Sequence, residues 1–149
     1  MEQSLSEQEL VRRDKLNELR SLGINPYPAE AFEVSHSAQD IKSRFAQQPE
    51  AFTQVCLAGR LMSVRDMGKA SFAVLQDHSG RMQLYLRKDE VSCGNTQQAY
   101  DTVFKKLLDI GDIIGAEGHV FTTKTGEISL HVKRFTLLSK ALRPLPDKF

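Results

Sequence analysis

The chain has 149 residues and a mass of 16.8 kDa, which is room for about one domain. Hydrophobic residues make up 40% and charged residues 26%, and no apolar run approaches the roughly 20 residues of a membrane-spanning helix, so a transmembrane helix is excluded. The net charge of +1 hides an asymmetry: residues 1–52 carry 6 basic and 9 acidic side chains, residues 53–149 carry 14 and 10, and the second part is the better partner for a polyanion.

The opening, MEQSLSEQELVRR, is polar and acidic where a secretory signal is basic and then apolar, so the cytoplasm is the expected compartment. Ser6-Glu-Gln-Glu9 is a capping-box pattern, and Leu10, Leu16 and Leu19 follow at near-helical spacing until Leu22-Gly23. A helix is predicted over 6–22. Asn25-Pro26-Tyr27-Pro28 cannot continue it, because proline lacks an N–H and pushes its predecessor into an extended conformation. Ser37 opens a shorter helix to about Phe45, with Ile41 and Phe45 on one face.

From Thr53 the period changes from 3.6 to 2. Val55, Leu57, Gly59 and Leu61 mark a first strand with one buried face and a glycine at a bend or bulge. Ser71 to Gln76 and Arg81 to Leu86 form two more, joined by the turn Asp77-His78-Ser79-Gly80. Thr96 to Leu108 is amphipathic through Tyr100, Phe104 and Leu108, and two further strands, 112–122 and 127–138, flank Lys124-Thr-Gly126. The order βββαββ is that of the OB-fold, a five-stranded Greek-key barrel, although another five-stranded α+β domain has the same order. Strand glycines at 59, 115 and 118 suit a tightly curled barrel.

Catalytic constellations are absent: there is no GxxxxGK[ST], GxSxG or HExxH, and the histidines at 36, 78, 119 and 131 are not spaced as ligands. Cys56 and Cys93 are too few for a disulfide framework and have no metal-site spacing, so both read as free thiols. The informative feature is alternation. In strand two Ala73 and Leu75 oppose Phe72, Val74 and Gln76; in strand three Met82, Leu84 and Leu86 oppose Gln83 and Tyr85. If the apolar set of strand three is core, Phe72 shares the outer face with Gln83 and Tyr85, a ring beside an amide being suited to holding a splayed base. Packing of Phe72 under a loop or the first helix is the other outcome. Arg65-Asp-Met-Gly-Lys69 lies where an OB-fold has a binding loop, and a solvated turn explains the same residues.

Longer words in the sequence are more specific. Val55-Cys-Leu-Ala-Gly-Arg-Leu-Met62, Met67-Gly-Lys-Ala-Ser-Phe72, Gly80-Arg-Met-Gln-Leu-Tyr85, Lys124-Thr-Gly-Glu-Ile-Ser129 and Leu142-Arg-Pro-Leu-Pro-Asp-Lys-Phe149 together resemble the N-terminal anticodon-binding domain of bacterial class II lysyl-tRNA synthetase, across essentially the whole chain. The related aspartyl and asparaginyl enzymes share the barrel, but MGKASF and RPLPDKF resemble the lysyl branch. The resemblance implies a helical extension over 1–52, an OB-fold over 53–141 and the start of a linker over 142–149. It implies lysine tRNA as partner, with Phe72 stacking on the central anticodon uridine, Arg65 and Gln83 bonding its edge, Glu127 contacting the anticodon, and Lys69 and Arg60 meeting backbone or neighbouring bases. It also implies a homodimeric, ATP-dependent lysine-tRNA ligase whose catalytic domain, with its ATP and Mg, follows Phe149, leaving this chain without catalytic residues, cofactor or metal and inactive alone. Two other readings are a sequence-tolerant single-strand-binding OB protein, for which more aromatics and a larger basic excess are expected, and a barrel whose Phe72 is interface core.

Overall fold

The computed structural model describes residues 5–24, 32–93 and 99–142. The predicted proline-rich segment after Asn25 and the linker beyond Leu142 lie outside the described residues. Helix α1 spans Leu5–Ser21, so Ser6 lies inside its first turn and not at its cap as predicted. It ends as expected. Gly23 turns left-handed (φ 82°), and the Ile24 N–H donates to the Leu19 carbonyl (2.9 Å) while the Gly23 N–H donates to Arg20 (3.0 Å), the paired bonds that close a helix C-terminus. Leu16 and Leu19 are buried, whereas Leu10 is 61% exposed. Nine residues at about 100° each place Leu10 half a turn from Leu19, so the two cannot share a face.

Helix α2, Ala38–Arg44, has the predicted cap: the Asp40 N–H donates to Ser37 Oγ (3.1 Å). The turn after the second strand supplies the rest, since Asp77 Oδ2 accepts from the Ala38 N–H (2.8 Å) and Ser79 Oγ from the Gln39 N–H (3.1 Å). A 3₁₀ turn over Pro49–Phe52 then buries Phe52 completely.

The strands are β1 (Val55–Asp66), β2 (Ala70–Gln76), β3 (Arg81–Arg87), β4 (Ile113–Thr122) and β5 (Ile128–Ser139). They close into one sheet in the order β1-β2-β3-β5-β4, with β3 and β5 parallel and the other pairs antiparallel. Their inner faces, among them Leu61, Leu75, Met82, Leu84, Ile114 and Leu130, form one core that also takes in Leu19, Ile41 and Phe52, so the N-terminal helices pack on the sheet and share its interior. The bulge predicted at Gly59 falls at Met62, between Leu61 and Ser63. Gly59 instead permits a close approach: a Cβ there would lie 2.5 Å from the Gln76 carbonyl oxygen. The predicted helix over 96–108 is a π-helix over Ala99–Lys105 in its described part, extended by a bond from the Leu108 N–H to the Val103 carbonyl (3.1 Å). Tyr100, Phe104 and Leu108 all face the core, as their spacing requires.

Candidate nucleic-acid interface

Alternation on β2 and β3 resolves as the outward reading of Phe72. Ser71, Ala73 and Leu75 of β2 are buried with Met82, Leu84 and Leu86 of β3, which turns Phe72, Gln83 and Tyr85 to the outer face. Phe72 lies directly opposite Tyr85, the rings 5.2 Å apart and tilted by 40°. Cross-strand register then builds a row that runs round the sheet: Arg65 on β1, Phe72 on β2, Tyr85 on β3, His131 on β5 and His119 on β4. The adjoining row holds Ser63, Val74, Gln83, Ser129 and Phe121.

Gln83 is fixed from one side. Its Nε2 donates to Ser129 Oγ (2.9 Å), and that hydroxyl donates to the Glu127 carbonyl (3.3 Å), leaving the Gln83 carbonyl oxygen and second N–H for a ligand. Arg65 is exposed beside Phe72 and has no carboxylate partner among the described residues. Glu127 is exposed at the end of the β4–β5 turn, where its N–H donates to Thr123 Oγ1 (3.1 Å); period two puts it on the same side of the chain as Ser129. Lys69 is exposed on the β1–β2 turn. Arg60 sits apart: it pairs with Gln76, four residues or roughly 13 Å along β2 from Phe72, and its guanidinium donates to the Gly111 carbonyl (3.4 Å).

The β1–β2 turn is exposed and is tied by hydrogen bonds at Gly68. Gly68 adopts φ 89°. Its N–H donates to Asp66 Oδ1 (2.8 Å), and its carbonyl accepts from Lys105 Nζ (2.7 Å) and Tyr100 Oη (3.1 Å). The Gly68 N–H and then the Lys105 ammonium, 3.1 Å away, hold the Asp66 carboxyl below its ordinary range. The Asp66 carboxylate is therefore paired with the Lys105 ammonium at the turn.

Sequence reasoning missed the rings beyond Tyr85. Phe121 lies 5.8 Å from Tyr85, His131 stands edge-on to Tyr85 at 5.2 Å, and His119 lies 4.8 Å from His131. His131 Nε2 meets Glu90 Oε2 at 2.6 Å, and this bond lowers the Glu90 pKa. Burial, then the neighbouring His131 and Lys133, lowers that of His119. Alternation does turn 119, 121 and 131 outward; the signal lacking is the parallel β3–β5 pairing that brings them to Tyr85. Among the described residues no three His, Cys, Asp or Glu side chains converge to hold a metal ion.

A family model described as an OB-fold nucleic-acid-binding domain matches residues 55–138, the five strands and the row of rings upon them. The chain belongs to this family. Curated relatives match over nearly all of its length. The lysine-tRNA ligase of Christiangramia forsetii is 56% identical over 144 residues, that of Porphyromonas gingivalis 52% over 143, and that of Azobacteroides pseudotrichonymphae 53% over 142; each alignment covers 95–97% of this chain. The chain spans about a quarter of the length of these relatives, 25% for the first two and 28% for the third. On this fold the outward rings run from Phe72 on β2 and Tyr85 on β3 to His131 on β5 and His119 on β4.

Proposed function

We propose that this chain is the anticodon-binding domain of a lysine-tRNA ligase and receives the lysine tRNA anticodon loop on the outer face of β2 and β3. One observation carries the reading: Arg65, Phe72 and Tyr85 lie in one row, with Gln83 in the next, on a nucleic-acid-binding fold whose relatives are lysine-tRNA ligases. Phe72 is the stacking platform for the central base. Gln83, held by Ser129, offers a carbonyl oxygen to uracil N3–H and an N–H to a flanking carbonyl, and Arg65 supplies further donors. Cytosine presents an amine and an unprotonated N3 to the same groups and leaves them mismatched. Glu127 contacts the loop from the β4–β5 turn, Lys69 meets its backbone beside Phe72, and Arg60 meets it at the far end of the face.

The nucleic-acid-binding unit is taken as 53–141, with 1–52 as helical extension and 142–149 as the start of a linker. In this reading the whole enzyme is a cytoplasmic homodimer that attaches lysine to tRNA with ATP and Mg bound by its catalytic part. No segment of this chain reads as an active site, so the chain alone should show no lysine-dependent ATP-pyrophosphate exchange; exchange that follows the purified chain would overturn this.

Titration of wild type, Phe72→Ala and Gln83→Ala against anticodon stem-loops with uridine or cytidine at the central position tests the base assignments. Phe72→Ala should cost roughly 1 to 3 kcal/mol for either base, since every base has a π-face. Gln83→Ala should cost more for uridine than for cytidine, on the scale of roughly 1 to 3 kcal/mol for an unpaired polar group. Equal losses from Gln83→Ala combined with none from Phe72→Ala would contradict both roles, and equal wild-type affinity for the two RNAs would favour sequence-tolerant binding.

A further inference from the structure

Phe72 is only half-buried, and its ring is supported from one side. Toward β1 its register partner is the exposed Arg65; toward β3 it is Tyr85, whose ring, 5.2 Å away, is the one aromatic contact of Phe72 among the described residues. Tyr85 is itself held from the far side. His131, its partner on β5, stands edge-on to it at 5.2 Å and 80°, and Phe121 lies 5.8 Å from it. The next contact is ionic. Glu90 follows β3 in a turn where the Val91 N–H donates to the Arg87 carbonyl (3.0 Å), and the Ser92 N–H then donates to the Lys133 carbonyl of β5 (2.9 Å), so the backbone beside Glu90 is tied to both strands. From there Glu90 Oε2 reaches His131 Nε2 at 2.6 Å, with Lys133 Nζ 3.6 Å from the same oxygen. The bond from His131 holds the Glu90 carboxyl below its ordinary range, and an ionised carboxylate can only accept. Nε2 therefore carries the hydrogen, and the imidazole is fixed in one tautomer and one orientation.

We infer that Glu90 and His131 are positioning residues for the stacking ring: the pair fixes Tyr85, and Tyr85 holds Phe72 in the orientation that receives the central base. The inference rests on the reading of Phe72 as the stacking platform and adds the residues that set its geometry. Two observations favour positioning over direct contact with RNA. The His131 side chain is only 15% exposed and its Nε2 is occupied by Glu90. A carboxylate, for its part, repels phosphate, so Glu90 gains nothing from meeting the strand itself.

The Phe72 ring protons are followed by NMR in the free chain, and affinity is measured for stem-loop RNAs carrying the lysine anticodon, intact or abasic at the central position. In wild type the ring current of Tyr85 should displace the Phe72 resonances. Glu90→Ala, at an exposed site, should return them toward the values of a free phenylalanine and weaken binding of the intact RNA about threefold, the scale of one hydrogen bond. The central-abasic RNA should bind this variant as it binds wild type. Glu90→Gln, which keeps an acceptor for the Nε2 hydrogen, should lose less. Unmoved Phe72 resonances in Glu90→Ala overturn the inference whatever the RNA does. So does unchanged affinity for the intact RNA, or a loss that persists with the abasic RNA, which would mean that the pair meets RNA directly. If wild type binds the intact and abasic RNAs alike, the Phe72 assignment itself fails, and the NMR measurement still decides whether the pair sets the ring.

Discussion

Gln83 can choose a base only if its amide is held in one orientation, and the chain of bonds from Gln83 Nε2 to Ser129 Oγ to the Glu127 carbonyl holds it. Ser129 is fully buried beneath that contact, although it touches no ligand in the proposed arrangement. Ser129→Ala should therefore keep the stacking affinity given by Phe72 but narrow the uridine preference by about 1 kcal/mol, the usual net value of one hydrogen bond. Stem-loop titrations with uridine and cytidine measure this, and an unchanged preference would show that Gln83 is oriented by other contacts. Gln83 was legible in the sequence because β3 alternates with one strictly apolar side, whereas β2 is apolar on both faces and left the facing of Phe72 open between the outer face and packing under a loop or the first helix. Ser129 was not legible as a partner of Gln83. It lies 46 residues away, on a strand whose parallel pairing with β3 leaves no local trace.

The same contrast holds for whole elements. Strands and helices appeared at their expected places because each carries its own period, whereas the contact fixing α1 to the sheet joins side chains from three separate stretches. Lys140 Nζ, fully buried after β5, lies 2.7 Å from Asp109 and 2.8 Å from Asp112 and donates to the Leu107 carbonyl (2.8 Å). Lys15 of α1 reaches Asp109 at 2.7 Å, and Arg12 donates to the Ile110 and Ala141 carbonyls. Lys140→Met leaves the fully buried Asp112 without its ammonium, and Asp109 with Lys15 alone, and should destabilise the chain by about 3 to 5 kcal/mol, the range for breaking a buried pair. Lys15→Met, at a more exposed site, should cost well under that. Burial alone would raise the Asp109 pKa, but the bonds from Lys140 and Lys15 more than offset it and leave the carboxyl below its ordinary range. A depressed folded pKa means that the stabilisation is complete above the unfolded value of about 4 and is lost as pH falls through the folded one. Thermal melts of wild type should hold steady down to about pH 4 and drop below it, and the drop should be smaller in Asp109→Asn; equal acid sensitivity of the two proteins would exclude Asp109 as its source.

Across the whole molecule the net charge of +1 says little, and the placement of cations says more. Arg65 and Lys69 flank Phe72 at one end of the outer face, while Arg60 and Arg81 lie at the other, where Arg60 donates to a carbonyl and Arg81 to Gln76 Oε1 (3.0 Å). A single strand crossing the whole face would meet three or four of them. Each neutralised phosphate contributes roughly −0.7 to the slope of log affinity against log salt, so the slope should lie between about −2 and −3. Lys69→Ala should make it shallower by about 0.7, because its ammonium has no competing carboxylate among the described residues. Arg60→Ala should do the same only if the strand extends past Gln76, which makes this variant a ruler for how far the RNA runs. Arg13→Ala and Arg20→Ala, on exposed positions of α1, should leave the slope unchanged. Stem-loop titrations from 50 to 300 mM salt measure all four variants; a slope steeper than about −4, made shallower by the α1 changes, would move the RNA path from the β2–β3 face toward the helix.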